Sequence, residues 1–139
     1  MKDPINIAAN PHSPGTFNTA TSKRTQGENV KVYYLPPQEK VKSRVKYARD
    51  SALSWYNEIM DYNFDKPSIQ YNTGHFTQLV WKGVKKIGTG IAIHSYNDGR
   101  NQGNVVIVVT QYYPPGNYEG KYLKKHVTRP KKIEVVHEI

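Results

Sequence analysis

An α+β domain is predicted for this chain, and three observations predict it. Residues 29–35 alternate as a strand does. Residues 38–62 carry a long helical periodicity. Strand signals at 86–94 and 104–113 flank a turn rich in Asn, Asp and Gly, which predicts an antiparallel hairpin. The 139 residues suit one domain with a single modest core.

Residues 1–26 read as an irregular lead-in. Pro4, Pro11 and Pro14 punctuate it, and Asn, Ser, Thr and Gly fill most of the rest. In 29–35, Val30, Val32 and Tyr34 share one face, and Pro36-Pro37 ends the strand. In 38–62, Val41, Val45, Ala48, Ala52, Trp55 and Ile59 form the predicted core-facing stripe. Lys40, Lys42, Arg44, Lys46 and Arg49 flank it, either as a solvated face or as a basic strip for lipid head groups. Residues 62–72 form a loop around Pro67. Val105 to Val109 is a continuous apolar run, as in a strand covered on both faces. Gly88 and Gly90 leave room for a close neighbour. From Lys121 onward, Lys124, Lys125, Arg129, Lys131 and Lys132 mark an extended or disordered basic tail.

The chain has no cysteine, which excludes a disulfide framework, a thiolate metal site and a cysteine nucleophile. No apolar run approaches a membrane span. Met1-Lys2-Asp3-Pro4 is not followed by an apolar segment, so the chain as written is not marked for secretion. The net charge of +9 implies either solubility or attraction to anionic surfaces.

The densest stretch is Gly74-His75-Phe76-Thr77-Gln78-Leu79-Val80-Trp81. As a short helix it places Phe76, Leu79 and Val80 on one buried face, with Thr73 as its cap. His75 then looks into a cleft, as a metal ligand, a general base or a core imidazole.

This stretch resembles the first signature of the CAP superfamily: cysteine-rich secretory proteins, antigen 5 and pathogenesis-related class 1 proteins. Val108-Val109-Thr110-Gln111-Tyr112-Tyr113-Pro114-Pro115-Gly116-Asn117-Tyr118 resembles the second signature, and Gly27-Glu28-Asn29-Val30 the short Gly-Glu-Asn motif. The three occur in the family's order and cover about residues 10 to 125. Thr110 stands where that signature usually has Cys, and Val84 where a small polar residue is usual. The likeness is to the cysteine-free, intracellular, membrane-associated Golgi-associated plant pathogenesis-related branch.

The resemblance implies an α-β-α sandwich with a small antiparallel sheet. It divides the chain into a lead-in at 1–26 carrying His12, a CAP domain at 27–125 and a basic tail at 126–139. It also implies two preceding helices with a His-Asn motif, and these are not in the chain. The expectation is a truncated domain whose sheet exposes apolar surface, giving marginal stability or homo-oligomers.

In that family two His and two acidic residues converge in a cleft. The matches here are His75, His12, Glu28 and Glu58. Such a set implies weak, exchangeable Zn²⁺ held by His12 and His75, with water completing the shell. Glu28 and Glu58 then orient the imidazoles or serve hydrolytic chemistry. A purely structural polar network is the other reading. No nucleophile elbow is present, and Ser13 beside His12 is adjacency only. The loop with Tyr62, Phe64 and Ile69 resembles the family's sterol-binding loop, or else it packs inward at the helix end.

The expected function is non-enzymatic binding of lipid or sterol at anionic membranes, with an exchangeable metal cleft and an endomembrane location. The alternatives are a metal-dependent hydrolase and a secreted immune or venom-type effector. Nucleic acid is disfavoured, because the aromatics do not interleave with the basic residues.

Overall fold

The computed structural model describes residues 25–131. The elements are β1 (Gly27–Leu35), α1 (Arg44–Asn57) with a 3-10 turn at Glu58–Asp61, α2 (Gly74–Leu79), β2 (Lys86–Asn97), β3 (Gln102–Tyr113) and α3 (Lys121–His126). The strands form one sheet in the order β1-β3-β2, antiparallel throughout. Helices with a small antiparallel sheet make this an α+β fold. The middle strand holds Val30 opposite Val109 on one side and Ile91 opposite Val108 on the other.

Successive strand residues face opposite sides, so the sheet has two distinct surfaces. On one, Leu35, Val106 and Val108 pack with Tyr47 and Trp55 of α1. On the other, Val30, Val105 and Ile107 form a cluster made, among the described residues, only of strand residues. These three are 7%, 1% and 5% exposed, whereas Tyr34, Ile87 and Tyr113 of the same sheet are 54%, 68% and 57% exposed, so the sheet leaves part of its apolar surface open.

The helix of α1 is shorter than its periodicity predicts. Ser43 occupies the N-cap, and its hydroxyl accepts from the Lys46 backbone N–H at 3.3 Å. Residues 38–43 therefore lie outside it. The buried face keeps Trp55 and Ile59 of the predicted stripe but is rotated at its start. Tyr47, Ser51 and Trp55 are buried, while Val45 is 78% exposed. Hydrogen bonds explain the rotation. Ser51 Oγ lies 2.7 Å from the Tyr47 carbonyl and 3.0 Å from the Tyr33 hydroxyl, so a polar residue is satisfied inside the core.

The hairpin strands run past their predicted ends and leave a turn at 98–101. Asp98 closes that turn. Its carboxylate accepts from the Arg100 and Asn101 backbone N–H groups at 3.1 and 2.6 Å. These bonds hold the Asp98 carboxyl below its ordinary pKa. Gly103 is required where β3 begins. Its φ of 145° is open chiefly to glycine, and an added Cβ would collide with the Leu35 carbonyl oxygen. Thr110, at the expected Cys position, meets Thr89 across the strands with hydroxyls 2.8 Å apart.

β2 is an edge strand. The Arg44 guanidinium donates to the Ile91 carbonyl at 2.6 Å. The chain from Lys121 is not an extended tail up to Val127. It forms α3, anchored by Leu123 and Val127 at 0% and 3% exposure, with His126 stacked on Trp81 at 4.8 Å. Their burial carries the core beyond the predicted boundary at 125.

Candidate functional site

The end of α1 positions the first site residue. Glu58 follows the last helical residue and sits at the turn into 3-10 geometry. One carboxylate oxygen accepts the Phe76 backbone N–H at 3.0 Å, and the other lies 2.9 Å from His75 Nδ1. A carboxylate only accepts, so Nδ1 carries the proton. That leaves Nε2 as the nitrogen that Glu58 does not engage. The His75 side chain is about a third exposed (35%) and stacks on Trp55 at 6.1 Å with a 20° tilt. The pair can present an oriented imidazole lone pair to a ligand, as a base or as a metal contact.

Thr73 holds the N-cap position of α2 without capping it. Its hydroxyl exchanges 3.4 Å contacts with the Gln70 backbone instead. The predicted apolar face of α2 also divides. Phe76 and Val80 join the cluster with Ile59, Tyr62 and Leu123, whereas Leu79 packs with the sheet and α1.

Glu28 is not brought to this pair. Its carboxylate accepts from Gln111 Nε2 at 2.9 Å, its cross-strand neighbour. Asn29 faces the other side of the sheet, toward α2. Gln111 also lines a separate trough of about 500 Å³ above Gly88 and Gly90, beside Lys86 and Tyr113. His12 lies outside the described residues. Among the described residues no three His, Asp or Glu side chains gather to hold a metal. The donor there is one imidazole nitrogen, fewer than the three protein ligands of a catalytic zinc site.

The aromatic loop packs inward. Tyr62 is 8% exposed, and Phe64 and Ile69 lie against the same cluster. The Tyr62 and Phe64 rings meet at 4.8 Å, nearly perpendicular. The Tyr62 hydroxyl is buried with no hydrogen-bond partner among the described residues. Burial, and secondarily the Glu119 charge, raises its pKa.

A further role of the motifs was not predicted. They clasp one another. Asn29 donates both amide hydrogens, to the His75 carbonyl at 3.0 Å and to the Tyr112 hydroxyl at 3.1 Å. Asn117 Nδ2 donates to the Gly74 carbonyl at 2.9 Å, and its Oδ1 accepts from Thr77 at 2.7 Å. Gln78 Oε1 accepts the Gly116 N–H at 3.2 Å. The available signal was polarity inside apolar runs, since a buried amide needs partners.

The clasp has a measurable pH dependence. Burial pushes the Tyr112 phenol up to about 12. The folded state favours its neutral form. Its contribution is whole below the ordinary value of 10.0 and is lost as pH rises through about 12. The loss reaches about 2–3 kcal/mol. Alkaline unfolding followed by circular dichroism should show it, with a shallower transition in Tyr112→Phe. An identical alkaline transition in that variant contradicts the assignment.

An α+β domain whose three motifs are bonded together beside a partly exposed imidazole defines a recognisable class. The profile of the CAP family, described as the cysteine-rich secretory protein family, matches residues 5–113, and this chain belongs to that family. It is 41% identical over 85 residues to human Golgi-associated plant pathogenesis-related protein 1, covering 60% of this chain and 51% of that protein. It is 30% identical over 99 residues to salivary antigen-5 of Dipetalogaster maximus, covering 70% of this chain and 38% of that protein. Venom allergen 5 of Polistes fuscatus is 34% identical over 76 residues, covering 51% and 35%. The chain thus spans about half, or less, of the length of these relatives.

Proposed function

We propose that this chain is a non-enzymatic CAP-domain protein that associates with anionic membranes, takes a lipid or sterol, and offers His75 Nε2 to an exchangeable divalent ion. The observation that carries the membrane part is α3. Lys121, Tyr122, Lys124 and Lys125 are exposed, and only Leu123 is buried. Tyr118 and Tyr122 lie exposed with rings 6.3 Å apart, and Lys121 sits 5.5 Å from the Tyr122 ring. Cations beside amphipathic rings suit the head-group layer. No described helix is long and apolar enough to cross a membrane, so the contact is peripheral for these residues. The name of the human Golgi-associated relative supports an endomembrane location, and the names of the salivary and venom relatives support the extracellular alternative.

Vesicle co-sedimentation with phosphatidylserine tests this reading. Each basic residue near the surface contributes about 1 kcal/mol. Reversing Lys121, Lys124 and Lys125 to Glu should therefore weaken binding about 100-fold or more. Unchanged binding would sink the membrane reading. A lipid entering at 62–69 must displace Phe64 and Ile69 from the cluster that contains Tyr62 and Phe76, so it enters by opening the loop. The Glu58–His75 pair favours a second reading, a metal-dependent hydrolase. Turnover that needs added Zn²⁺ and vanishes in His75→Ala would carry that one.

A further inference from the structure

The hairpin end of the sheet carries a second concave surface, separate from His75 and from α3. Its volume is about 570 Å³, within the range of small-ligand sites. Gly103 stands at the edge of β3 opposite Tyr96. With no side chain at Gly103, Tyr34 of β1 and Tyr96 of β2 approach across the middle strand. Their rings are 6.3 Å apart at 89°, so one presents its edge and the other its face. Tyr34 remains 54% exposed. Pro36 and Pro37 extend the apolar wall, and Arg100 and Gln102 form the polar rim.

The rim is electrostatically unbalanced. Asp98, the acid nearest in sequence, spends its carboxylate on the backbone N–H groups of Arg100 and Asn101. The Arg100 guanidinium has no ion pair among the described residues. Among the described residues Arg100 is the single cation in the lining.

We infer that this surface binds a uronate-containing oligosaccharide. An exposed aromatic ring suits the apolar face of a pyranose. A side-chain amide suits its hydroxyls. One guanidinium suits one planar carboxylate, taken through two parallel hydrogen bonds. A single cation matches one carboxylate per subsite and does not match the charge density of a polysulfated chain or a nucleic acid backbone. The proline wall and the aromatic pair also fit a proline-rich acidic peptide. The polar rim favours the saccharide, whose hydroxyls it can satisfy.

The test is calorimetry and amide chemical-shift mapping of the full chain with a tetrasaccharide of alternating glucuronate and N-acetylglucosamine. Shifts are expected around Tyr34, Tyr96 and Arg100. Tyr34→Ala and Arg100→Gln should each weaken binding about 10-fold or more. Arg100→Lys should rescue little, because an ammonium lacks the planar fork. Lys124→Glu with Lys125→Glu should leave affinity unchanged, which separates this site from general charge attraction. Three results overturn the inference. One is no wild-type binding up to about millimolar concentration. The second is binding lost in the Lys124/Lys125 variant and kept in Tyr34→Ala. The third is a proline-rich acidic peptide filling the groove where the tetrasaccharide does not.

Discussion

Replacing Phe76 with Ala should cost about 3–5 kcal/mol of stability. Phe76 is 2% exposed and lies 6.0, 5.5 and 6.3 Å from the rings of Tyr56, Tyr62 and Phe64. Removing it leaves a cavity bordered by three rigid aromatic groups that cannot all collapse inward. A domain of this size has roughly 5–15 kcal/mol in total, so the loss is a large fraction. The melting temperature should fall by about 10–20 °C. Val45→Ala is the matched control. Val45 is 78% exposed despite its place in the helical stripe, and its truncation should cost less than about 0.5 kcal/mol. Equal losses in the two variants, by denaturant titration, would overturn the burial order that separates them.

Glu58→Gln should change His75 chemically while leaving the backbone in place. The Phe76 N–H needs an acceptor, so the new side chain must turn its carbonyl oxygen to that N–H. Its amide nitrogen then faces His75 Nδ1 and donates. Nδ1 becomes the acceptor, and the ring proton moves to Nε2. The nitrogen proposed for ligand contact is thereby capped. Nitrogen-15 spectra of the neutral imidazole should show the ring proton on Nδ1 in the wild type and on Nε2 in the variant. Divalent-ion affinity at His75 should fall about 10–100-fold, the range seen when the orienting partner of a ligating imidazole is changed. Glu58→Ala differs. It strands the Phe76 N–H and should cost about 2–3 kcal/mol, because hydrogen bonds to charged groups are the stronger ones. A Glu58→Gln protein with Nδ1 still protonated would show that the carboxylate does not set the tautomer.

Much of this was legible in the sequence, and the unread part has a physical cause. Strand alternation gave β1 and the hairpin, because pleating ties residue parity to a sheet face. The pairing of Glu58 with His75 followed from motif resemblance. Trp55 and Ile59 were read correctly, but the start of the α1 face was misread because hydropathy treats Tyr47 and Ser51 as outside residues. Hydrogen bonds to Tyr33 and within the helix let Ser51 bury. Val45, apolar but unsupported by any neighbour that closes over it, stays in water. Glu28 was placed in the cleft by analogy, but strand parity sends its side chain to Gln111 and turns Asn29 toward α2. Short helices such as α3 leave too few residues for a periodicity to register. Leu123 and Val127 were the only signal there.

The bond from Arg44 to the Ile91 carbonyl bears on how copies of this chain behave when crowded. An open strand edge is a template on which a foreign strand can add. Any strand laid along β2 at Ile91 must first evict a guanidinium, and breaking such a charged hydrogen bond costs about 1.5–3 kcal/mol. It must also desolvate a cation that keeps no partner in the joined state. Arg44 thus works as a guard against self-templated polymerisation, in a chain whose middle strand carries the uncharged apolar run from Val105 to Val109.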